Sequence, residues 1–409
     1  MSNKRNMINK LDKAEIRNIL SIRYDPTKKT LIKPASIYDF LKDTSDSKAK
    51  KTESLLKNAT EKLIKSERGS ITVSLSGGID STLALAILRD VFPKKKIIGL
   101  CGVFEEGFDE SIFAKKIAQK FDSDFKIVKM GSIFTNMPEI ISITSKPKWN
   151  TYTHLIAKNA KKYGKFLITG DGSDEIFGGY IFRYSKFLDL HRPKDNWKTR
   201  IINYLECHNR DWVPDQEQLF DSSIRFDWNY IYKYFKPFFK NNLNPIKQVM
   251  LADFNGKLLH DFIPMTHDIS KKYEIGIGSP YLDNDVIAHG LKLPISQKFD
   301  TNTKQGKLIL RKISKRYEIK HIEEKKGFSP NLITDWNKHG RSICQSYLMS
   351  NKSRVFTKKL INHNWVIRAF EKVEDDGDIR YLNRLISILA LEIWYRIFVT
   401  KEMKPNQKL

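Results

Sequence analysis

The chain has 409 residues, 40% apolar and 11% aromatic, which excludes a disordered protein and allows more than one core. Lys and Arg number 72 against 47 Asp and Glu, a formal net charge of +25. The excess is scattered, as in KAKK at 48–51 and KKK at 94–96, with no arginine-rich, aromatic-interleaved segment, so it reads as a lysine-rich solvated surface; a nucleic-acid partner is disfavoured without being excluded.

The first twenty residues are charged throughout and lack an apolar signal core. Residues 19–24, followed by Asp25-Pro26, read as a short strand ending in a turn. DTSDSKAKK at 43–51 is linker-like, so residues 1–50 are read as an extension. Leu55, Leu56, Ala59 and Leu63 then recur at helical spacing. From there apolar runs at 71–75, 97–103, 125–128 and 166–169 alternate with helical stretches at 83–88, 109–121 and 151–162. That alternation predicts an α/β fold, a parallel sheet of five-stranded type flanked by helices. After Tyr180 it ceases. Residues 197–240, rich in Trp, Tyr and Phe, and the closing RLISILALEIWYRIF read as helices. The main domain is placed at 51–340 and its C-terminal helical part at 341–409. No run of about eighteen apolar residues occurs, so no membrane span is expected. Cys101, Cys207 and Cys344 form no CxxC pair and read as structural, which with the missing leader fits a cytoplasmic protein.

Two glycine-rich turns carry the chemistry. In VSLSGGIDSTLALAIL at 73–88, a strand stops at Ser76-Gly77-Gly78 and a helix begins. Such a turn is a phosphate cradle. Glycines let the backbone approach closely, and the helix start offers free N–H groups and partial positive charge. Ser76 and Ser81 add hydroxyls. Asp80 would repel phosphate unless Mg²⁺ bridged the two anions; the plainer reading is a helix cap. The spacing is not GxxxxGK[ST], so this is not the kinase-type P-loop. The second turn, TGDGSD at 169–174, also follows a strand. Both turns lie at carboxyl ends of strands, which predicts one shared site.

The first stretch resembles the SGGxDS pyrophosphate loop of ATP pyrophosphatases, enzymes that cleave ATP between its α and β phosphates. LITGDGSDEIFGGY at 167–180 resembles the GEGxDExFGGY signature of the asparagine synthetase family. In the same order, FDESIFAKKIA at 108–118, GSPYLDNDVIAHGLKLP at 278–294, KLILRK at 307–312, KKGFSP at 325–330 and LEIWYRIF at 391–398 resemble further stretches of that family. The resemblance implies an adenine-nucleotide-hydrolase fold and a synthetase domain that binds ATP and Mg²⁺. It implies that Ser76, Gly77, Gly78, Asp80 and Ser81 hold pyrophosphate, and that Asp80 and Asp174 hold the metal. Leu100, in the stretch 100–103 of the second strand, would meet adenine through the backbone. Gly170 and Gly172 would flank nucleotide and substrate. Lys307 would meet the phosphates, and Lys325 would stabilise the intermediate and transition state.

The departures bear on the substrate. Residue 2 is Ser, and only about 50 residues precede the synthetase-like part, so no glutaminase domain is expected here. The nucleophile would be ammonia, free or from a separate glutaminase or carrier subunit, or an amine of the substrate. Asp171 replaces the family's glutamate and is a candidate general base. His267, Asp268, Gly276 and Gly278 stand where the family has D-R and E-x-R, and Glu323 replaces an arginine. The two glycines would leave space, pointing away from plain L-aspartate toward a larger acid, as in β-lactam synthetases or lasso-peptide cyclases. The expected activity is ATP-dependent amide-bond formation through an acyl-adenylate, with release of pyrophosphate and then AMP. The alternatives are an ammonia-dependent asparagine synthetase or the synthetase subunit of a split enzyme, and, in another class, a tRNA-modifying ATP pyrophosphatase.

Overall fold

The four apolar runs and a fifth short strand pair as one parallel sheet in the computed structural model, which describes residues 11–105, 107, 109–208, 212–319 and 328–409. The strands are β1 (Ile71–Ser74), β2 (Ile97–Val103), β3 (Asp124–Lys129), β4 (Phe166–Ile168) and β5 (Gly276–Gly278), in the order β3-β2-β1-β4-β5. Every neighbouring pair is parallel. The central strand β1 is apolar because both its faces are covered: Ile71, Thr72 and Val73 are all fully buried. Thr72 satisfies its hydroxyl by donating to the Phe166 carbonyl of β4 at 2.7 Å. Helices Ile79–Val91, Ser111–Lys120 and His154–Ala160 connect β1 to β2, β2 to β3 and β3 to β4.

The chain winds outward from β1 through β2 to β3, then returns to lay β4 on the other side of β1. Winding therefore reverses between β1 and β4. A crevice opens beyond the carboxyl ends of strands at such a reversal. The two glycine-rich turns follow β1 and β4, so the fold puts them on either side of that crevice.

Residues 19–24 are not a strand. They finish the helix Lys13–Ile22, whose first turn is capped by the Asp12 side chain accepting the Glu15 N–H at 2.7 Å. Ile16 and Leu20 lie on one face of it and enter a core built mainly from C-terminal helices, beside Leu385 and Ile388. The Arg384 guanidinium donates to the Leu20 carbonyl at 2.6 Å and the Ser21 carbonyl at 3.1 Å, satisfying that helix's last turn. The N-terminal segment read as an extension is thus folded against the C-terminal part. The aromatic-rich stretch forms helices Trp197–Glu206 and Trp228–Phe239. The closing run is the helix Ile379–Trp394, buried at every position from Tyr381 onward. All three cysteines are free and buried. Among the described residues no helix is long and apolar enough to cross a membrane.

Candidate active site

The turn after β1 is tied internally. The Ser81 hydroxyl accepts the Ser76 N–H at 3.0 Å and lies 2.8 Å from the Ser76 hydroxyl. The Gly78 N–H reaches the Ser76 hydroxyl at 3.3 Å. The Gly77 N–H is taken by the buried carboxylate of Glu110, at 2.9 Å. Glu110 lies in the DE pair before the helix Ser111–Lys120, so this segment braces the cradle from the β2 side. Asp80 occupies the first turn of the helix Ile79–Val91, and the Tyr281 hydroxyl donates to its backbone carbonyl at 3.0 Å.

The turn after β4 meets the first one at Gly170. A Cβ there would lie 2.9 Å from the Asp80 Cβ and 3.4 Å from the Ser81 nitrogen, so only glycine lets the turns touch. Gly172, at φ +85°, starts the short helix Ser173–Phe177, and Ser173 donates its hydroxyl to Asp80. Asp174 and Asp80 converge on one cation, the ammonium of Lys307. It is 2.6 Å from Asp80 Oδ2 and also pairs with Asp174 Oδ1. Burial works against that charge, but the two carboxylates outweigh it and hold the Lys307 pKa above the ordinary lysine value. Lys307 sits at φ 56°, a left-handed backbone that a non-glycine residue adopts at a cost of about 1–3 kcal/mol. That strain delivers the ammonium between two acids from separate turns.

Asp171 is buried. It accepts hydrogen bonds from Thr169 at 3.0 Å and Thr266 at 3.4 Å. Burial raises its pKa, and the neighbouring Asp174 and Asp80 add to the effect. Glu175 accepts the Tyr180 hydroxyl at 2.5 Å; burial, reinforced by Asp174, pushes its carboxyl up to about 7.

These groups border a cavity of about 1170 Å³. Ser76, Gly78, Asp80, Ser81, Gly170, Asp171, Gly172, Asp174 and Lys307 all line it. Leu100 does not: it is fully buried beneath the wall, its carbonyl spent on the Leu75 N–H at 2.9 Å. Cys101 and Gly102 take its place on the surface of β2, with the Phe328 ring packed over Gly102. Lys325 and Glu323 lie outside the described residues. The space expected at Gly276 and Gly278 is filled. A Cβ at Gly276 would lie 2.5 Å from the Phe166 ring, and one at Gly278 would lie 2.9 Å from Leu63. Strand alternation turns these glycines away from the cavity and turns Ile277 toward it. His267 and Asp268 do not border it either, so the exchanges that pointed to a larger acid do not shape the cavity wall.

The family model described as asparagine synthase matches residues 51–396. The chain belongs to this asparagine synthase family. The asparagine synthetase [glutamine-hydrolyzing] 1 of Bacillus subtilis is 22% identical over 97% of this chain and 71% of its own length. A putative asparagine synthetase [glutamine-hydrolyzing] of Mycobacterium bovis is 24% identical over 89% of this chain; the chain spans only 60% of that relative's length. Among solved structures, an NMN synthetase from Francisella tularensis aligns at 13% identity over 57% of this chain and 94% of that one, with a TM-score of 0.27.

Asp80 and Asp174 fit the divalent ion that the family resemblance implies. Two carboxylates already share one cation here. Mg²⁺ is commonly held by one or two carboxylates, with phosphate and water completing its shell.

Sequence reasoning passed over Glu110, Ser173, Glu175 and Lys257, all near the site. The first three sit inside motifs already singled out. Lys257 has a fainter signal, a lone lysine within the apolar helical stretch LADFNGKLLHDF.

Proposed function

We propose that the protein is an ATP-dependent carbon–nitrogen ligase that adenylates a substrate carboxylate and passes the acyl group to an amine or ammonia. The observation that carries this reading is the convergence of Asp80, Asp174 and Lys307 beside the Ser76–Ser81 cradle. Membership of the asparagine synthase family supports an ATP-dependent ligase.

Ser76, Gly77, Gly78 and Ser81 are assigned to the phosphates of ATP, their N–H and hydroxyl groups exchanging present partners for phosphate oxygens. Asp80 and Asp174 would hold Mg²⁺, which when bound neutralises phosphate charge and orients the triphosphate. Lys307 is then released from its carboxylates to meet the charge building on the leaving pyrophosphate. A carboxylate oxygen attacks the α-phosphorus and the bond to the β,γ-pyrophosphate breaks. The amine nitrogen then attacks the acyl carbon and AMP leaves with its oxygen. Asp171 is assigned to take the amine's proton, since its raised pKa makes it a stronger base than an exposed aspartate. Lys325 remains assigned to the intermediate through the KKGFSP resemblance. Holding both reactants in one cavity supplies much of the rate.

The test is pyrophosphate release from Mg-ATP against a panel of carboxylates, with and without ammonium, beside Asp80→Ala. Release with aspartate and ammonium alone identifies asparagine synthesis; release only with other acids identifies a dedicated ligase. Release independent of any acid would sink the proposal.

A further inference from the structure

Besides the acids and Lys307 of the two turns, the cavity wall carries a second basic set: Arg23, Arg183, His208 and Lys257. The second group is more than a solvated face. Arg183 is 2% exposed; it pairs with Asp253, and its Nε–H is buried without an acceptor among the described residues. Lys257 projects from the helical segment Phe254–Phe262, with its ammonium 4.8 Å from the centroid of the Tyr180 ring and 4.8 Å from that of Phe262. Lys257 makes no hydrogen bond or ion pair with the described residues; the carboxylates of Glu175 and Asp253 act on it only through their field. Burial, with Arg183 and Arg23 close by, lowers its pKa to about 8. A lysine held between two rings with no carboxylate in contact has its charge only partly compensated, because a cation–π contact is worth about 0.5–2 kcal/mol. A site that leaves a cation wanting an acceptor is built to receive an anion.

We propose that Lys257, flanked by Arg183 and Arg23, is the specificity-determining cation of the acid site, receiving a second anionic group, carboxylate or phosphoryl, at the far end of the substrate acid. This rests on the ligase reading for its reacting carboxylate, which would lie toward the nucleotide. The Tyr180 ring links the two ends: its hydroxyl bonds Glu175, next in sequence to Asp174, and its face meets Lys257.

The test is calorimetric titration of the full chain, saturated with Mg²⁺ and α,β-methylene ATP, using glutarate, its mono-amide and inorganic phosphate as probes. Glutarate is expected to bind about tenfold or more tighter than the mono-amide, as a charge-assisted hydrogen bond predicts. Lys257→Met should weaken glutarate about tenfold or more and leave the nucleotide affinity unchanged, while Lys257→Arg should largely restore it. Phosphate binding that also needs Lys257 would extend the site to phosphoryl acids. Equal glutarate affinity in wild type and Lys257→Met, or no binding of glutarate or phosphate to wild type, overturns the proposal. Lys257-dependent glutarate binding in a chain that binds no nucleotide would instead overturn the ligase reading and leave the anion site standing.

Discussion

The two ends of the cavity are built by different means. At the nucleotide end, the cradle and the acids expected to hold the metal sit within a few residues of each other in two turns, each launched by a buried strand. At the far end, Arg23, Arg183, His208 and Lys257 come from four helical or loop segments scattered over more than two hundred positions. The first arrangement depends on backbone geometry and the second on packing. Charge follows the same division. Asp80 and Asp174 already share a cation, whereas Lys257 touches two rings and, among the described residues, no acid.

The sharpest test of the nucleotide end is Asp80→Ala. Removing one of two carboxylates expected to share a metal should cut pyrophosphate release by about a thousandfold or more, with the fold retained by circular dichroism. Release within tenfold of wild type would mean that Asp80 serves only to anchor Lys307 and Ser173. Next is Lys307→Met, expected to lose about a hundredfold to a thousandfold in kcat. Because the variant leaves Asp80 and Asp174 facing each other uncompensated, Mg²⁺ should raise its melting temperature more than it raises that of wild type. An equal Mg²⁺ response would separate the lysine from the acid pair.

Glu175 joins the two ends and gives a pH signature. Its folded carboxyl lies at about 7 against an ordinary 4.5, so the folded state favours the proton. Relative to a permanently neutral side chain, the wild type therefore loses stability as pH rises from about 4.5 to about 7, and the deficit is constant above that. Glu175→Gln, which can still accept the Tyr180 hydroxyl, should match wild type near pH 4 and be more stable above pH 7. The gain should be about 3 kcal/mol at most, at about 1.4 kcal/mol per pH unit. Denaturant melts at four pH values would show it; a pH-independent difference would mean that the carboxyl keeps its ordinary pKa. The smallest effect is expected at the edge of the sheet. Gly278→Ala should cost about 1 kcal/mol of stability through its clash with Leu63 and Phe166, and leave the acid preference of pyrophosphate release unchanged. A changed acid preference would return that glycine to the substrate wall.

Much of this was legible in the residues and some of it was not. β1 to β4 could be read because each is an apolar run ended by a turn. β5 could not, because two of its three residues are glycine and its strand character comes from pairing with β4. Residues 19–24 misled because Ile19 and Tyr24 have strand propensity, while the Asp12 cap and the contact of Ile16 and Leu20 with the C-terminal core made the segment a helix. Gly276 and Gly278 were read as space because sequence cannot show which face of a strand a residue takes or what packs against it. Leu100 failed by its place along the strand: Cys101 and Gly102, nearer the carboxyl end of β2, reach the cavity and Leu100 does not.

What the sequence determined by itself was local: strand–turn–helix units whose backbone offers N–H groups, and carboxylates fixed at the starts of helices. Those follow from nearest-neighbour geometry, so motif spacing reports them. Only the tertiary structure decided that Lys307 stands between Asp80 and Asp174, that Phe166 closes the space beside β5, and that Lys257 meets two rings. Each of these depends on side chains distant in sequence being packed together, and packing is settled by volume and burial across the whole fold.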